Sequence, residues 1–288
     1  GNLHIVTSIN ELVEQAPYAY QIINGREVEV ACHFNLEGKK MQFDFPEGYD
    51  ARFPLVIDPV LVGATYSGTS DEQYGFTAAS DEDGNIYGGG QQFGAGYPLS
   101  AGAFQTTFGG SIDMSISKFS PDGSTQIFAT FLGGAERDLP HSLITNADGD
   151  LYVMGSSSSA NFPTTAGAYD PTYNSGGGFL TADIVVARLS PDGTALIAGT
   201  YVGGTNEDGP NNIYYNYGDG SRGEVYLDDL GNVYVGSTTS SFDFPATAGA
   251  YQETHGGGQD GCVFKMTDDL STMLWATYLG GAQDDGAY

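Results

Sequence analysis

Thr130-Phe131-Leu132-Gly133-Gly134 decides how this chain is organised, because it returns. It stands again as Thr200-Tyr201-Val202-Gly203-Gly204 and as Thr277-Tyr278-Leu279-Gly280-Gly281, with a weaker copy at Thr65-Tyr66-Ser67-Gly68. The copies start 65, 70 and 77 residues apart. Other landmarks keep step with them. A Gly-Asn/Asp-apolar-Tyr segment recurs at Gly84-Asn85-Ile86-Tyr87, Gly149-Asp150-Leu151-Tyr152 and Gly231-Asn232-Val233-Tyr234. Fourteen residues after each leading Gly comes Pro98, Pro163 or Pro245, each opening a Pro-x-x-Ala-Gly-Ala run. An Asp follows at 113, 183 and 260. Seven residues later stands Ser120-Pro121-Asp122-Gly123, Ser190-Pro191-Asp192-Gly193, or the worn copy Thr267-Asp268-Asp269-Leu270. A period of this size marks a repeat architecture.

Each repeat contains four strands. Residues 125–132 form a strand that ends at Gly-Gly, and residues 75–80 run into an Asp-x-Asp-Gly-Asn turn. Residues 85–90 are the hairpin partner. Residues 113–119 alternate apolar and polar side chains and stop at Pro-Asp-Gly, where Pro fixes φ and Gly supplies a positive φ. Four short strands per unit, with Gly-rich turns and aromatics at fixed places, predict an all-β fold of propeller blades. Residues 61–288 hold three repeats and the start of a fourth, so the blades are expected to be partial or open in this chain: either these residues are a fragment of a propeller or the repeats form an open arc. The second repeat carries about five extra residues near 174–180. The third carries twelve, within 205–223.

Residues 1–60 do not repeat. Asn24-Gly25 between apolar runs is a two-residue hairpin signal, and Glu37-Gly38-Lys39 marks a second turn. Residues 18–45 therefore predict a three-stranded antiparallel meander, after which Leu55-Val56-Ile57-Asp58-Pro59 leads into the repeats.

Charge narrows the partners. Thirty-six acids against nine Lys plus Arg leave a formal net charge of −27 over 288 residues. Such a chain repels phosphate backbones and anionic membrane surfaces, which argues against nucleic acid, and no apolar run approaches membrane-span length, which argues against membrane insertion of this segment. Hydrophobic content of 40% and aromatic content of 12% are too high for a disordered acidic tail. Cys32 and Cys262 sit in no metal or redox spacing and suggest two separate buried thiols.

The landmarks together resemble the SBBP-type beta-propeller repeat family of large secreted bacterial proteins. The likeness rests on Thr-Tyr-x-Gly-Gly, Gly-Asn-x-Tyr-Val, Phe-Pro-x-Thr-Ala-Gly-Ala-Tyr and Pro-Asp-Gly in register over residues 60–288. Residues 16–60, with Pro17-Tyr18-Ala19-Tyr20-Gln21 and Val56-Ile57-Asp58-Pro59, look like the end of the β-rich domain that often precedes such repeats. The resemblance implies export to the cell surface, as in type IX secretion and gliding-associated proteins.

Few residues point to chemistry. His4, His33, His141 and His255 are not paired at metal-ligand spacing. No nucleophile elbow, phosphate loop or zinc-protease motif occurs. Two acidic sets suit Ca²⁺, which takes oxygen ligands. One is the turn with Asp81, Asp83 and Asn85, whose other reading is a hairpin turn capping its own backbone. The second comprises Asp138, Asp208 and Asp285, which align after each Gly-Gly, with Gln73 in the first copy. They suggest a ring on one loop face, or else a solvated surface. In the insertion, Asn211, Asn212, Tyr214, Tyr215 and Tyr217 combine aromatic planes with amides, a pattern suited to a glycan or protein partner. Tyr87, Tyr152 and Tyr234 are expected in the core between blades. The functional expectation is a non-catalytic adhesion or assembly module; a propeller of a carbohydrate-active enzyme and a structural spacer are the alternatives.

Overall fold

A computed structural model describes residues 3–6, 11–14, 16–37, 40–58, 68–176, 181–212 and 220–287. The chain divides into two compact units, Gly1–Ala64 and Thr65–Tyr288. Among the described residues every regular element is a β-strand.

In the first unit, β1 (Leu3–Val6) and β2 (Glu11–Glu14) form an antiparallel pair. The strands β3 (Tyr18–Ile23) and β4 (Arg26–Val30) form the expected hairpin, with Asn24 and Gly25 at φ of 52° and 76°. Positive φ at both turn residues is what a tight hairpin of right-twisted strands requires. The three-stranded meander, however, is corrected. β5 (His33–Glu37) and β6 (Lys40–Asp44) make a separate two-stranded sheet, and β7 (Leu55–Asp58) pairs with the other edge of β3. The reason is a side-chain tether. Gln21 Nε2 donates to the carbonyls of Asp50 (2.8 Å) and Phe53 (3.0 Å), and its Oε1 accepts from Asp50 N–H (2.9 Å). That ties the 50–53 turn to β3 and delivers Leu55 alongside it.

The second unit holds three four-stranded antiparallel sheets, one per repeat, each a meander in chain order. Sheet one is β8 (Gln73–Ser80), β9 (Ile86–Gln92), β10 (Asp113–Phe119) and β11 (Gln126–Leu132). Sheet two is β12 (Asp138–Thr145), β13 (Leu151–Ser157), β14 (Asp183–Leu189) and β15 (Leu196–Val202). Sheet three is β16 (Glu224–Leu227), β17 (Val233–Thr239), β18 (Asp260–Met266) and β19 (Met273–Leu279). The first strands are neighbours in space, β8 beside β12 and β12 beside β16.

The first strands of sheets one and two carry a bulge, at Gly75/Thr77 and Pro140/Ser142. In sheet three this is where the chain leaves the sheet. Asp208 still bridges Thr239, but pairing resumes only at Glu224 opposite Gly236. Register then matches Pro210 to Pro140 and Gly223 to His141. The twelve extra residues are therefore 211–222, inserted at the bulge. A bulge already interrupts the ladder, so an insertion there breaks few further bonds.

The sheets stack face to face through continuous cores. Tyr87, Met114, Ile116, Phe128 and Leu132 of sheet one join Leu143, Val153, Val185, Ala187 and Leu189 of sheet two. Tyr152, Ile184, Val186, Ala198 and Val202 of sheet two join Val225, Val235, Cys262, Phe264 and Leu270 of sheet three. The middle strands of sheet two are buried on both sides, and β13 and β14 accordingly read nearly continuously apolar from Leu151 to Met154 and from Ile184 to Ala187. Tyr87 and Tyr152 are fully buried, as expected of the repeated tyrosine, whereas Tyr234 is half-buried. Cys262 lies in the core and Cys32 in the first unit, both as free thiols.

The two junctions are filled differently. In the first, Phe128 lies over the turn glycine of the next sheet: a Cβ on Gly193 would come within 2.4 Å of Phe128 Cδ2. In the second, the matching position is the small Ala198, and the matching turn residue is Leu270. Leu270 is fully buried and holds φ of 54°, a left-handed conformation costly for a non-glycine residue. Leucine there occupies the volume that the Phe128 ring takes up in the first junction. The backbone link is the same in both. Phe104 N–H donates to Gly193 O (2.8 Å) and Tyr169 N–H to Leu270 O (2.9 Å).

Candidate functional site: the sheet junctions and the base of the inserted loop

The acidic turns are built around cations of the protein itself. Asp81 accepts from Asn85 N–H (2.9 Å), from the Asn85 amide (2.9 and 3.1 Å) and from Tyr87 OH (3.1 Å), and pairs with Lys118 Nζ at 3.0 Å. Burial works to raise its pKa, but the Asn85 and Lys118 contacts prevail and hold it down at about 2. Lys118 also lies 4.9 Å from the centre of the Tyr87 ring. The arrangement recurs. Lys265 pairs with Asp228 (2.9 Å) over Tyr234, and Arg188 with Asp150 (2.6 Å) over Tyr152. In the second copy the acid has moved from the first to the fifth turn position: Asn146 and Asp150 replace Asp81 and Asn85. Three of the chain's nine basic residues go to these slots. The turn thus caps its own backbone and holds a side-chain cation at the carboxylate. Asp83 lies exposed on the same turn. Sequence reasoning passed over Lys118, Arg188 and Lys265, although each stands five residues after a repeated Asp.

The second acidic set is distributed among separate junctions. Asp138 is fully buried and accepts from Gly134 N–H (2.7 Å), Ser159 Oγ (2.9 Å) and Ser157 Oγ. Asp208 repeats this with Gly204 N–H (2.7 Å), Ser241 Oγ (2.8 Å) and Thr239 Oγ1. Asp285 is half-buried and accepts from Gly281 N–H (2.6 Å). Asp138 therefore caps the loop that leads into β12, and Asp208 and Asp285 cap the matching loops after Gly203-Gly204 and Gly280-Gly281. Among the described residues no group of three or more His, Cys, Asp or Glu side chains converges as a metal cage.

The other recurrent Asp faces the same glycine. Asp113 accepts from Gly109 N–H (2.8 Å) and Asp260 from Gly256 N–H (2.7 Å). Asp183 accepts from Asn174 N–H (2.6 Å) and Ser175 Oγ (2.6 Å). A Cβ on Gly133 would lie 2.9 Å from Asp138 Oδ2 and 3.0 Å from Asp113 Oδ1; on Gly203 the values are 2.8 Å to Asp208 and 2.9 Å to Asp183. Those distances explain the Gly-Gly signature. The first glycine lets two carboxyl groups close on the backbone, and the second donates its N–H to one of them.

These carboxyls titrate far from their usual range. Burial pushes Asp138 and Asp208 up to about 7, and Asp113 and Asp183 up to about 6. A carboxyl raised in the folded state binds its proton more tightly there than in the unfolded chain. Its contribution to stability is complete below the unfolded value of 3.8 and is lost as pH rises through 6 to 7. His141 opposes this over part of the range. Burial lowers it to about 4, so its contribution is lost as pH falls below 6.5. Four carboxyls outweigh one imidazole, and the melting temperature is expected to be higher at pH 5 than at pH 8. Calorimetric scans at both values check this; a midpoint that is flat or higher at pH 8 contradicts it.

The inserted loop is fastened at its base. Gln259, just before β18, clamps its start: Nε2 donates to Asn211 Oδ1 (3.0 Å), and Oε1 accepts from Asn212 N–H (2.6 Å). At its end, His141 Nδ1 lies 3.0 Å from Arg222 O, and Nε2 lies 3.0 Å from Ser156 Oγ. A carbonyl only accepts, so Nδ1 carries the proton and Nε2 accepts from the serine. Gln91 Nε2 of sheet one donates to Ser221 Oγ at 3.4 Å. The two ends of one loop thus touch all three sheets. Asn211 is buried and serves this clamp, while Tyr214, Tyr215 and Tyr217 lie outside the described residues.

Among the described residues no helix is long and apolar enough to cross a membrane. No curated protein matches the chain. Residues 1–60, the stretch that carries no copy of the repeat, match a family described as a domain of unknown function, DUF7948.

Proposed function

We propose that residues 65–288 form an arc of a β-propeller that acts as a non-catalytic binding module at the bacterial surface, with the inserted loop 211–222 as its recognition element. Three sheets of four strands in series, with their first strands adjacent, support the propeller reading. The anchoring of the loop carries the functional one. Gln259, His141 and Gln91 hold its ends from three different sheets. Fixing the base lowers the ordering cost that a partner must offset, which is how a rigid scaffold presents a binding loop. The recurrent buried acids support a non-catalytic role, because their hydrogen bonds go to loop backbone and to Ser and Thr hydroxyls of the repeat.

The partner class is a glycan or a surface protein, since tyrosine planes and amides offer stacking and hydrogen bonds without positive charge. Replacing Tyr214, Tyr215 and Tyr217 together by Ala is expected to abolish binding on a glycan array or to immobilised surface proteins while leaving the melting temperature within about 2 °C. Retained binding by the triple variant would move the recognition surface elsewhere.

A further inference from the structure

Three departures from the repeat meet at one place. The first is Phe242, just past β17. Its counterparts in the other two sheets are Ala95 and Ala160, so the repeat itself does not need a ring there. Phe242 is 72% exposed. It is nevertheless held in place, because its ring centre lies 4.5 Å from that of His255. His255 in turn meets Tyr278 edge-on at 5.5 Å. Phe108 on Phe131 and Tyr173 on Tyr201 make the same inner contact in the other sheets. The second departure is the extra stretch of the second repeat, with Gly176 at its start and Thr181 just past its end. The third is the insertion 211–222, whose Asn212 amide donates to Ser240 Oγ at 3.5 Å.

Phe242, Gly176, Thr181 and Ser240 line one open cleft of about 480 Å³, a size that suits a small-molecule ligand. The loop that follows Gly203-Gly204 completes it with Thr205, Asn206 and Glu207. Hydroxyls and amides both donate and accept hydrogen bonds, and Glu207 adds a carboxyl acceptor. Burial raises the Glu207 pKa, against the Asn212 amide and Arg137, which work to lower it. Among the described lining residues none is basic, so a phosphate or carboxylate ligand would meet no cation here. A pyranose ring fits this chemistry. Its hydroxyls exchange hydrogen bonds with the polar lining, and its C–H face covers an aromatic plane.

From this convergence we propose that the cleft beside Phe242 is a subsite for a neutral sugar, with Phe242 as the stacking platform and Asn206, Glu207 and Ser240 as hydrogen-bond partners of the sugar hydroxyls. The assignment rests on the reading that the insertion 211–222 marks the recognition face, and it adds contacts from residues outside that insertion. Because His255 already fixes the Phe242 ring, little side-chain freedom is lost when a sugar stacks on it.

Saturation-transfer NMR on the full chain, with the methyl glycosides of glucose, galactose, mannose and N-acetylglucosamine at millimolar concentration, is expected to show transfer to the ring C–H protons of at least one of them. Phe242→Ala installs the residue that both other sheets carry, so it is expected to leave the melting temperature unchanged while weakening that binding about tenfold or more. Glu207→Gln keeps the shape and removes the charge, and a several-fold loss is expected. Absence of transfer to every glycoside overturns the proposal, as does undiminished binding by Phe242→Ala. Binding of arginine amide in place of the glycosides, lost in Phe242→Ala, overturns it too and gives the cleft to a cationic partner. The triple variant of Tyr214, Tyr215 and Tyr217 separates this proposal from the reading it rests on. Glycoside binding that the triple variant loses and Phe242→Ala keeps removes the cleft and leaves the loop as the recognition element. The reverse pattern keeps the cleft and removes the loop.

Discussion

Replacing Asp208 by Ala is expected to destabilise the second unit by about 3 kcal/mol or more, the sum of leaving several buried donors without an acceptor. The carboxyl is wholly buried and takes hydrogen bonds from Gly204 N–H, Ser241 Oγ and Thr239 Oγ1. Alanine removes every acceptor at once, at a position fully buried from solvent. Asp208→Asn separates hydrogen bonding from charge. The amide keeps one acceptor, and the hydroxyls can rotate to receive its N–H groups, so the loss should be less than half that of alanine. The same variant should also flatten part of the pH dependence, because burial holds Asp208 up at about 7 and Asn does not titrate. Chemical denaturation at pH 5 and pH 8 measures both effects. An Ala variant as stable as the Asn variant would show that the carboxyl is not the junction's acceptor.

The second large effect lies at the packing of sheet two on sheet three. Ala198→Phe puts an aromatic ring where Leu270 already fills the space; overpacking of this kind costs about 1–3 kcal/mol. Leu270→Gly empties the same space. Losing a buried leucine costs about 2–5 kcal/mol, of which about 1–2 kcal/mol is returned because glycine accepts the left-handed backbone freely. Both single variants are therefore expected to be less stable than the parent, for opposite reasons of volume.

Much of this fold could be read from the amino acids before any coordinate was seen. The strand expected over 113–119 is β10, and those expected over 75–80, 85–90 and 125–132 agree with β8, β9 and β11 to within about two residues. Such strands are legible because turn residues bracket them: Pro121, Asp122 and Gly123 end one, and Asp83, Gly84 and Asn85 begin another. The pairing of faces was not legible. Leu270 looked like a decayed turn residue, and only the stacking on Ala198 gives it a purpose. The acids behaved similarly. Asp138 and Asp208 share a position in the repeat, and sequence alone gives no burial; a carboxyl after a Gly-Gly loop suggests a solvated face, whereas Ser157 and Ser159 surround one and Thr239 and Ser241 the other, at and just past the ends of β13 and β17. The first unit misled for a nearer reason. Gln21 tethers a turn some thirty residues away, an interaction with no local pattern.

Successive repeats stack with matched volumes at positions 128/193 and 198/270. The double variant Ala198→Phe/Leu270→Gly tests this most directly, since it rebuilds the first junction inside the second. Its unfolding free energy, measured beside both single variants, is expected to return to within about 1 kcal/mol of the parent, a coupling of about 2 kcal/mol or more between the two sites. If the two losses simply add, residues 198 and 270 do not share one space, and the stacking described here is wrong.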